Sequence, residues 1–419
     1  MPDSSLPDAD PSPFAALPGA VRVLDGPDAG AVWHYGNPVG EQRTLEAGRA
    51  VVALEQRAVL TVGGSDRLSW LNSITSQNLL GLREGDSSET LVLDPSGRIE
   101  HAVRVVEDGD RLWLIVDRTE AESLLAFLNS MRFMLRVEPE DVSDRFTVIG
   151  STAPLYAVAR AVPQPADGSA AQIRPGRSAS EQHEADRDSA SATPHVAEEP
   201  VRTVVWTDPW SHVALGGHQY APDDHDYSTW SWYETVVTRD FAAGLAARAA
   251  SGLLSVAGAG AAEALRIAAR RPRVATEADE RSIPHELDWL RSAVHLNKGC
   301  YRGQETIAKV HNLGHPPRRL VLLHLDGSDA VLPAAGDEVV AGDAVVGRVT
   351  SSAMHHELGP VALAVVKRST DPATELRVRS DGTEIAAAQE IIVPPSAGAS
   401  ADVPRLPRLG AVTRPRPNA

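Results

Sequence analysis

The side chains with the clearest capacity for chemistry surround Cys300, the one cysteine of this chain. They form the segment Lys298-Gly299-Cys300-Tyr301-Arg302-Gly303-Gln304-Glu305. If this segment is extended before Gly303, residues two apart share a face, so Lys298 and Arg302 flank the thiol. A helix that begins near Gly303, with Glu305 in its first turn, adds the positive end of its dipole. These charges favour a thiolate, the form of cysteine that attacks disulfides and binds metals.

A structural role for the same cysteine is also open. Free cysteine is among the most buried residue types, so the pattern alone fits an inert thiol as well as a reactive one. Gly299 and Gly303 allow the backbone to bend or a ligand to approach closely. Gln304 and Glu305 are expected to fix the loop, or Glu305 to cap its own helix.

Composition excludes several classes of function. The chain has 419 residues, and 40 Lys plus Arg against 56 Asp plus Glu give a net charge of −16. An acidic chain repels a phosphate backbone, so we expect no direct nucleic-acid binding. One cysteine allows no internal disulfide, Cys-rich zinc site or self-held iron–sulfur cluster. We expect a cytoplasmic protein without membrane contact, because secretory-signal features are missing at the N-terminus and residues 241–265 are too weakly apolar to span a bilayer.

Apolar runs and turn residues divide the chain into an α+β part and a small β-barrel. We predict a strand-rich run at 50–64, a helix at 65–79 capped by Ser65, a meander of strands at 89–117, and a helix followed by a strand at 118–141. This order of strand, helix, strands, helix and strand suits a sheet with helices on one side. Residues 232–251 are predicted as one helix. The predicted organisation is a disordered leader at 1–20, α+β domains at 21–159 and 204–315, a disordered insertion at 160–203, a β-barrel at 316–392 and a disordered tail at 393–419.

The segment around Cys300 resembles the signature of the YgfZ family, Lys-Gly-Cys-Phe/Tyr-any-Gly-Gln-Glu, at every fixed position. Residues 66–106, 264–289 and 339–368 resemble other parts of that family and of the related aminomethyltransferase (glycine-cleavage T-protein) superfamily. This resemblance implies an aminomethyltransferase-like fold of three domains around a central folate channel, with a small C-terminal β-barrel. The implied cofactor is tetrahydrofolate.

The resemblance also suggests folate contacts. Arg266 lies on the superfamily's Leu-Arg position, and we expect it to bind a folate carboxylate. Glu286 is expected to accept hydrogen bonds from the pterin, and Trp289 to stack on it. The basic run that contains Arg266 continues with Arg270, Arg271 and Arg273. A solvated helix end explains these arginines equally well.

Two departures from the T-protein pattern bear on activity. The T-protein places an aspartate just after its Gly-Gly-Ile turn, whereas residues 97–102 here read Gly-Arg-Ile-Glu-His-Ala, with Glu100 one place early. The T-protein's Gly-Tyr-Thr-Gly-Glu folate loop is also not found. The resemblance therefore implies a folate-binding accessory protein for iron–sulfur cluster assembly or repair, with iron–sulfur clients that include tRNA-modifying enzymes, rather than a conventional enzyme. A folate-dependent aminomethyl- or methyltransferase is the alternative, and a binding module without chemistry is a third hypothesis.

Histidine spacing gives no firm metal site. His311 and His315 are four apart and His355 and His356 are adjacent, but neither pair has a third ligand at a useful spacing. We therefore expect solvated histidines and no bound metal. The tryptophans close together in sequence are expected in the core or in pocket walls; they are Trp206, Trp210, Trp230 and Trp232.

Overall fold

The structure, a computed structural model, describes residues 12–160, 204–223, 225, 227–328 and 331–401. The predicted insertion at 160–203 lies outside the described residues, apart from residue 160. The same is true of the leader before residue 12 and of the tail after residue 401. Among the described residues, no helix has the length and apolar character needed to cross a membrane.

The elements are as follows. The strands before the barrel are β1 (Val21–Arg22), β2 (Val32–His34), β3 (Ala50–Ala53), β4 (Arg57–Gly63), β5 (Ser87–Leu93), β6 (Ile99–Glu107), β7 (Leu112–Asp117), β8 (Glu138–Asp141), β9 (Phe146–Ser151), β10 (Val204–Thr207), β11 (Tyr233–Thr238) and β12 (Ser255–Val256). The barrel strands are β13 (Arg318–Leu325), β14 (Glu338–Ala341), β15 (Ala344–His355), β16 (Gly359–Lys367), β17 (Leu376–Ser380) and β18 (Thr383–Ile391). The α-helices are α1 (Pro38–Glu46), α2 (Arg67–Ile74), α3 (Ala121–Ser130), α4 (Leu155–Arg160), α5 (Arg239–Ala250), α6 (Ala259–Ala268), α7 (Val274–Glu277) and α8 (Gln304–Leu313). Short 3-10 helices lie at Pro13–Ala16, Arg118–Glu120, Pro209–Ser211, Pro284–Leu287 and Trp289–Arg291.

Two five-stranded sheets face each other across a shared apolar core. One has the order β5-β6-β7-β4-β8 and the other β10-β11-β9-β3-β12. Side chains alternate between the faces of each strand, so Val59 of β4 and Val52 of β3 both point into the shared core. Leu60, the neighbour of Val59, packs instead under α2 and α3 on the outer face. The predicted strand, helix, strands, helix, strand order with helices on one side is confirmed.

The strands β13 to β18 close into a barrel of order β13-β16-β15-β14-β17-β18. Antiparallel pairing throughout the barrel leaves no sheet edge exposed. A separate apolar core fills it, built from alternate residues such as Val321 and Leu323. Helix α6 packs against β15 and also against α1. The barrel is thereby joined to the N-terminal elements.

Several local predictions are corrected. Phe14 is 1% exposed and packs near α5, so residues 12–20 are not part of a disordered leader. Val393 is fully buried and the Ser400 N–H donates to the His311 carbonyl, so residues 393–401 are packed as well. Residues 232–251 form β11 before α5, because the β-branched run Thr235-Val236-Val237 suits a strand. Asp66, not Ser65, precedes α2, and its side chain makes no capping bond.

Candidate functional site

The segment around Cys300 is a loop between the 3-10 helix Trp289–Arg291 and α8. Helix α8 begins at Gln304 with Glu305 in its first turn, as predicted. Gly303 precedes it with φ 82°, a conformation that favours glycine. A Cβ at Gly303 would lie 2.6 Å from the Asp94 carbonyl oxygen and 2.9 Å from the Gly97 Cα. The loop therefore packs directly on the turn between β5 and β6.

Lys298 holds the other end of this loop. Its Nζ donates hydrogen bonds to the carbonyl oxygens of Asn72 (2.6 Å), Thr75 (2.8 Å) and Gln77 (2.7 Å), at and just beyond the C-terminus of α2. Burial lowers the pKa of Lys298 to about 8. Only the ammonium form has three N–H groups to donate to these three carbonyl oxygens, so the hydrogen bonds favour protonation.

Arg302 is also engaged away from the thiol. Its Nη1 lies 2.6 Å from Glu100 Oε2, and its guanidinium lies over the Phe127 ring of α3. Lys298 and Arg302, which were expected to flank Cys300, are thus held by other groups: carbonyl oxygens bind one cation and a carboxylate binds the other. Strand alternation turns Glu100 outward to the surface, which places it on this loop.

Cys300 itself is exposed. It lines neither of the two cavities described below. Next to it, Tyr301 is buried in the core, and burial raises the pKa of its phenol well above the usual value. Gln304 Nε2 donates to the Lys298 carbonyl at 3.2 Å, which fixes the loop as expected. The thiol is thus presented to solvent by a loop that is fixed at both ends.

Arg266 lies within a buried ionic network. Its guanidinium contacts Glu263 (2.8 Å), Glu277 (2.8 Å) and the Arg271 carbonyl (2.6 Å). Burial acts to lower the pKa of Arg266, but the carboxylates of Glu263 and Glu277 prevail and hold it above its usual value. The side chain borders the central cavity, but its charge is already balanced by protein carboxylates. The remaining basic side chains also have acidic partners: Arg270 with Glu390, Arg271 with Glu89 and Asp208, and Arg273 with Asp28, Asp117 and Glu263.

Glu286 and Trp289 do not face either cavity. Both carboxylate oxygens of Glu286 are bonded to Arg318 of the barrel, at 3.1 and 2.9 Å. Trp289 is 1% exposed and belongs to the core between the sheets and the barrel. Their expected role as pterin contacts therefore stays a prediction, and Glu286 is already paired with a protein cation. Glu286 ties the barrel to the 3-10 helix Pro284–Leu287, and Trp289 belongs to the same apolar cluster as Tyr301.

A small central cavity of about 40 Å³ contains a carboxylate and aromatic rings, the two features that we expected Glu286 and Trp289 to provide for a pterin. Its walls include Trp206, Trp230 and Trp232, and the rings of Trp230 and Trp232 are stacked 6.1 Å apart. Glu234 lies in this wall, 1% exposed, and its Oε2 accepts no hydrogen bond. The prediction of a helix over residues 232–251 hid this residue. Once residues 233–238 are assigned to strand β11, Glu234 is a charged residue in a strand of mainly Val and Thr, which marks it as a candidate functional residue.

Electrostatics keep the Glu234 carboxylate ionised. Burial acts to raise its pKa, but Arg104 and Arg57 hold the pKa below its usual range. Arg104 Nε lies 3.3 Å from Glu234 Oε2, and Arg57 Nε lies 3.5 Å from Oε1. Other buried polar atoms without a well-formed hydrogen bond in the cavity-lining residues are Gln56 Oε1, Arg57 Nε, Arg104 Nε, Arg271 Nη1 and Arg273 Nη2, whereas Arg57 Nη1 contacts Asp117 Oδ1. Buried donors and acceptors of this kind are rare in folded proteins unless a ligand or water satisfies them.

A larger cavity of about 520 Å³ lies between α7 and the barrel. Its basic residues are engaged: Arg318 with Asp279, Arg348 with the Gly336 carbonyl, and Lys367 with the Val345 carbonyl. Because several polar atoms without hydrogen-bond partners and three tryptophans line the central cavity, we take it as the candidate ligand site despite its smaller volume.

The histidine pairs behave differently from each other. His311 accepts from or donates to the Tyr220 hydroxyl, and His315 contacts the Ala397 carbonyl, so this pair does not converge. His355 and His356 do converge, and Glu46 joins them.

Comparison with known proteins supports this architecture. Residues 318–393 match the family profile of the glycine cleavage T-protein C-terminal barrel domain. No curated protein matches the chain in sequence. Among solved structures, the glycine cleavage system aminomethyltransferase T from Bartonella henselae matches with a TM-score of 0.66 and 16% sequence identity, over 90% of this chain and 94% of that chain. The chain therefore has the aminomethyltransferase-like α+β fold with a C-terminal barrel, which confirms the predicted fold class.

Proposed function

We propose that this chain binds a reduced folate in its central cavity and presents the Cys300 thiol to iron–sulfur proteins during cluster assembly or repair. The observation that carries the folate part is the ionised Glu234 carboxylate, buried among tryptophans with one oxygen free of hydrogen bonds. The signature around Cys300 and the exposure of its thiol support the second part.

The chemistry of a pterin is complementary to this cavity. A pterin presents an amino group and a ring N–H side by side, and a carboxylate can accept both hydrogen bonds. Glu234 offers this acceptor, and the guanidinium groups of Arg57 and Arg104, which contact Glu234 at 3.5 and 3.3 Å without hydrogen-bond geometry, can turn to the pterin carbonyl. The stacked rings of Trp230 and Trp232 offer a flat surface beside it. Tetrahydrofolate bound there would supply a one-carbon unit, or its pterin ring would act as a redox partner.

Binding requires the cavity to widen. Its volume of about 40 Å³ is well below the roughly 300–1,000 Å³ of typical ligand sites. The lining is rich in long side chains, including Arg57 and Arg104, whose guanidinium groups can exchange partners when a ligand carboxylate or carbonyl enters. We therefore expect folate binding to change the environment of the three wall tryptophans.

The aminomethyltransferase alternative has weaker support. Glu100, the acidic residue near the position of the T-protein aspartate, is exposed and paired with Arg302. The next residue, His101, is buried and contacts Glu120 at 3.2 Å. Neither lines the central cavity. The chain thus offers no carboxylate at that position to polarise a reacting amine.

The thiol part of the proposal concerns a ligand for cluster iron. Cysteine thiolates hold iron–sulfur clusters, and one exposed thiolate can offer a single, exchangeable ligand to a cluster that a client protein completes. The fixed ends of the loop keep Cys300 at the surface without burying it. We propose cytoplasmic iron–sulfur enzymes as clients, including enzymes that modify tRNA, with no direct contact between this chain and nucleic acid.

Folate binding is tested by isothermal titration of the purified chain with tetrahydrofolate, beside Glu234→Gln and Cys300→Ser. We expect wild type and Cys300→Ser to bind equally and Glu234→Gln to bind at least about tenfold more weakly, since a charge-assisted pair of hydrogen bonds is lost. Unfolding curves establish that Glu234→Gln is folded. Equal binding by a folded Glu234→Gln would reject the assignment of the pterin site.

The thiol role is tested by complementation. In a strain that lacks this protein, we expect the wild-type gene to restore iron–sulfur enzyme activity and Cys300→Ser not to restore it. Full rescue by Cys300→Ser would reject the thiol role. Turnover of tetrahydrofolate with an aminomethylated carrier protein or dimethylglycine would instead favour the transferase.

A further inference from the structure

Glu46 lies close to His355 and His356, although about 300 residues separate it from the two histidines in the chain. Glu46 is the last residue of α1, His355 ends β15, and His356 begins the turn to β16. One nitrogen of each histidine and one Glu46 oxygen lie within 4.8 Å of one another, and His356 Nε2 lies 2.9 Å from Glu46 Oε2. In a tetrahedral zinc site, the ligand atoms are roughly 3.3 Å apart. Small side-chain shifts suffice to reach that spacing.

His356 carries the second observation. Its side chain is 3% exposed, and neither of its ring nitrogens has a hydrogen-bond partner of acceptable geometry. Nδ1 has no partner, and Nε2 lies 2.9 Å from Glu46 Oε2 without the geometry of a hydrogen bond, so the imidazole is only partly compensated for its lost bonds to water. A metal ion between His356 and Glu46 would supply the missing partner. The Glu46 side chain is 50% exposed, so the site opens to solvent on that side and leaves room for water ligands.

The backbone around these residues is held in place. Gln42, on the preceding turn of α1, donates from Nε2 to the Met354 carbonyl at 2.9 Å. Its Oε1 accepts the His356 N–H at 2.9 Å. The Gln42 side chain is buried and bonds the turn on both sides of His355. Ligands on a rigid scaffold of this kind lose little entropy on metal binding.

The hydrogen bonds of His355 indicate which of its two ring nitrogens can bind a metal. Its Nδ1 accepts the N–H groups of Glu357 at 3.2 Å and Leu358 at 3.1 Å, so Nε2 is the nitrogen open to a metal. Binding through Nε2 moves the imidazole proton to Nδ1, and these two contacts are then lost. Both residues are exposed, so water can replace His355 as their acceptor. Metal binding therefore loosens this turn while it fixes His356.

We propose that Glu46, His355 and His356 form a binding site for a divalent transition-metal ion, with Zn²⁺ favoured. Two imidazoles and one carboxylate are the ligand set of many three-residue zinc sites, whereas Mg²⁺ prefers oxygen ligands alone. The ligands come from α1 and from the barrel, so a bound ion links the N-terminal elements to the C-terminal barrel. Metal binding therefore stabilises the folded chain by mass action.

The test uses the full-length chain without a tag, freed of metal with a chelator. Isothermal titration with Zn²⁺ is expected to show one tight site per chain and a higher melting temperature, and Mg²⁺ is expected to give neither. Glu46→Gln keeps the size of a half-exposed side chain, so it folds even if His356→Ala does not. We expect Glu46→Gln to weaken Zn²⁺ binding at least about tenfold, and the exposed-histidine control His212→Ala to leave it unchanged.

Co²⁺ distinguishes this site from the exposed thiol. At the proposed site Co²⁺ gives visible bands without a thiolate charge-transfer band, and Cys300→Ser leaves that spectrum unchanged. In amide exchange, Zn²⁺ is expected to speed exchange at Glu357 and Leu358. The proposal is overturned if Glu46→Gln binds Zn²⁺ as tightly as wild type, if no stoichiometric binding occurs, or if Cys300→Ser abolishes it.

Discussion

The Nζ atom of Lys298 lies 2.6 Å from the carbonyl oxygen of Asn72, a residue in the last turn of α2. A helix leaves its last four carbonyl groups without partners inside the helix, and a cation at this end also offsets the negative end of the dipole. Lys298 thus caps the C-terminus of α2, a helix that lies far from it in the chain. Its position next to Gly299 and Cys300 makes this bond an anchor of the thiol loop.

Replacement of this anchor gives the first prediction. Lys298→Met keeps the length of the side chain but removes three charge-assisted hydrogen bonds, and we expect the free energy of unfolding to fall by about 2–4 kcal/mol. Urea unfolding measures it. The exposed Lys309 on α8 provides a matched control, and Lys309→Met is expected to change stability by less than about 0.5 kcal/mol. A Lys298→Met variant as stable as wild type would contradict the anchor.

The two glycines of the signature are expected to differ in their tolerance of a side chain. Gly303 has a positive φ, and a Cβ there meets the Asp94 carbonyl oxygen, so Gly303→Ala should destabilise the chain by at least about 2 kcal/mol. Gly299 has no heavy atom within 4 Å of a Cβ, so Gly299→Ala should be nearly neutral. Thermal unfolding of the pair decides this prediction, and equal losses would contradict it.

The sequence predicted the fold where local patterns decide it. Alternating apolar residues and turns located the β5-β6-β7 meander and the barrel, and Gly303 marked the start of α8. The helix prediction over residues 232–251 failed because an Ala-rich continuation outweighed the β-branched run at its start. Glu234 was missed for the same reason.

The partners of charged side chains could not be predicted from spacing. Lys298 and Arg302 share a face only if the segment is extended, and the carbonyl and carboxylate groups that engage them come from α2 and β6. Glu46 is about 300 residues from His356, so no sequence interval connects them. Such contacts depend on tertiary packing, which periodicity does not encode.

Arg266 yields a prediction about stability rather than ligand contact. Arg266→Ala leaves Glu263 and Glu277 buried without their shared cation, and removal of one partner from a buried ionic network costs about 3–5 kcal/mol. Urea unfolding should show this loss, and the exposed Arg281→Ala should show less than about 0.5 kcal/mol. A stable Arg266→Ala variant that no longer binds tetrahydrofolate would contradict this account and restore Arg266 as a folate contact.

Asp288 gives a prediction about pH. It is fully buried, and burial raises its pKa to about 7, although the Tyr220 N–H donates to its Oδ1 at 2.6 Å and favours the charged form. In the unfolded chain the carboxyl titrates near 4, so the folded state binds the extra proton between about pH 4 and 7. This contribution to stability is complete below about pH 4 and is lost as the pH rises through 7.

An asparagine at this position does not titrate and still accepts the Tyr220 N–H. The free energy of unfolding of Asp288→Asn, relative to wild type, should therefore increase by up to about 2.7 kcal/mol as the pH rises from 5 to 8, because about two pH units of the shift lie inside this range. Urea unfolding at pH 5, 6.5 and 8 measures the difference, with the exposed Asp240→Asn as the control. Parallel curves for wild type and Asp288→Asn would contradict a raised pKa of Asp288 and would point to stabilisation of its charge by Arg291, whose Nη1 lies 3.8 Å from Oδ2.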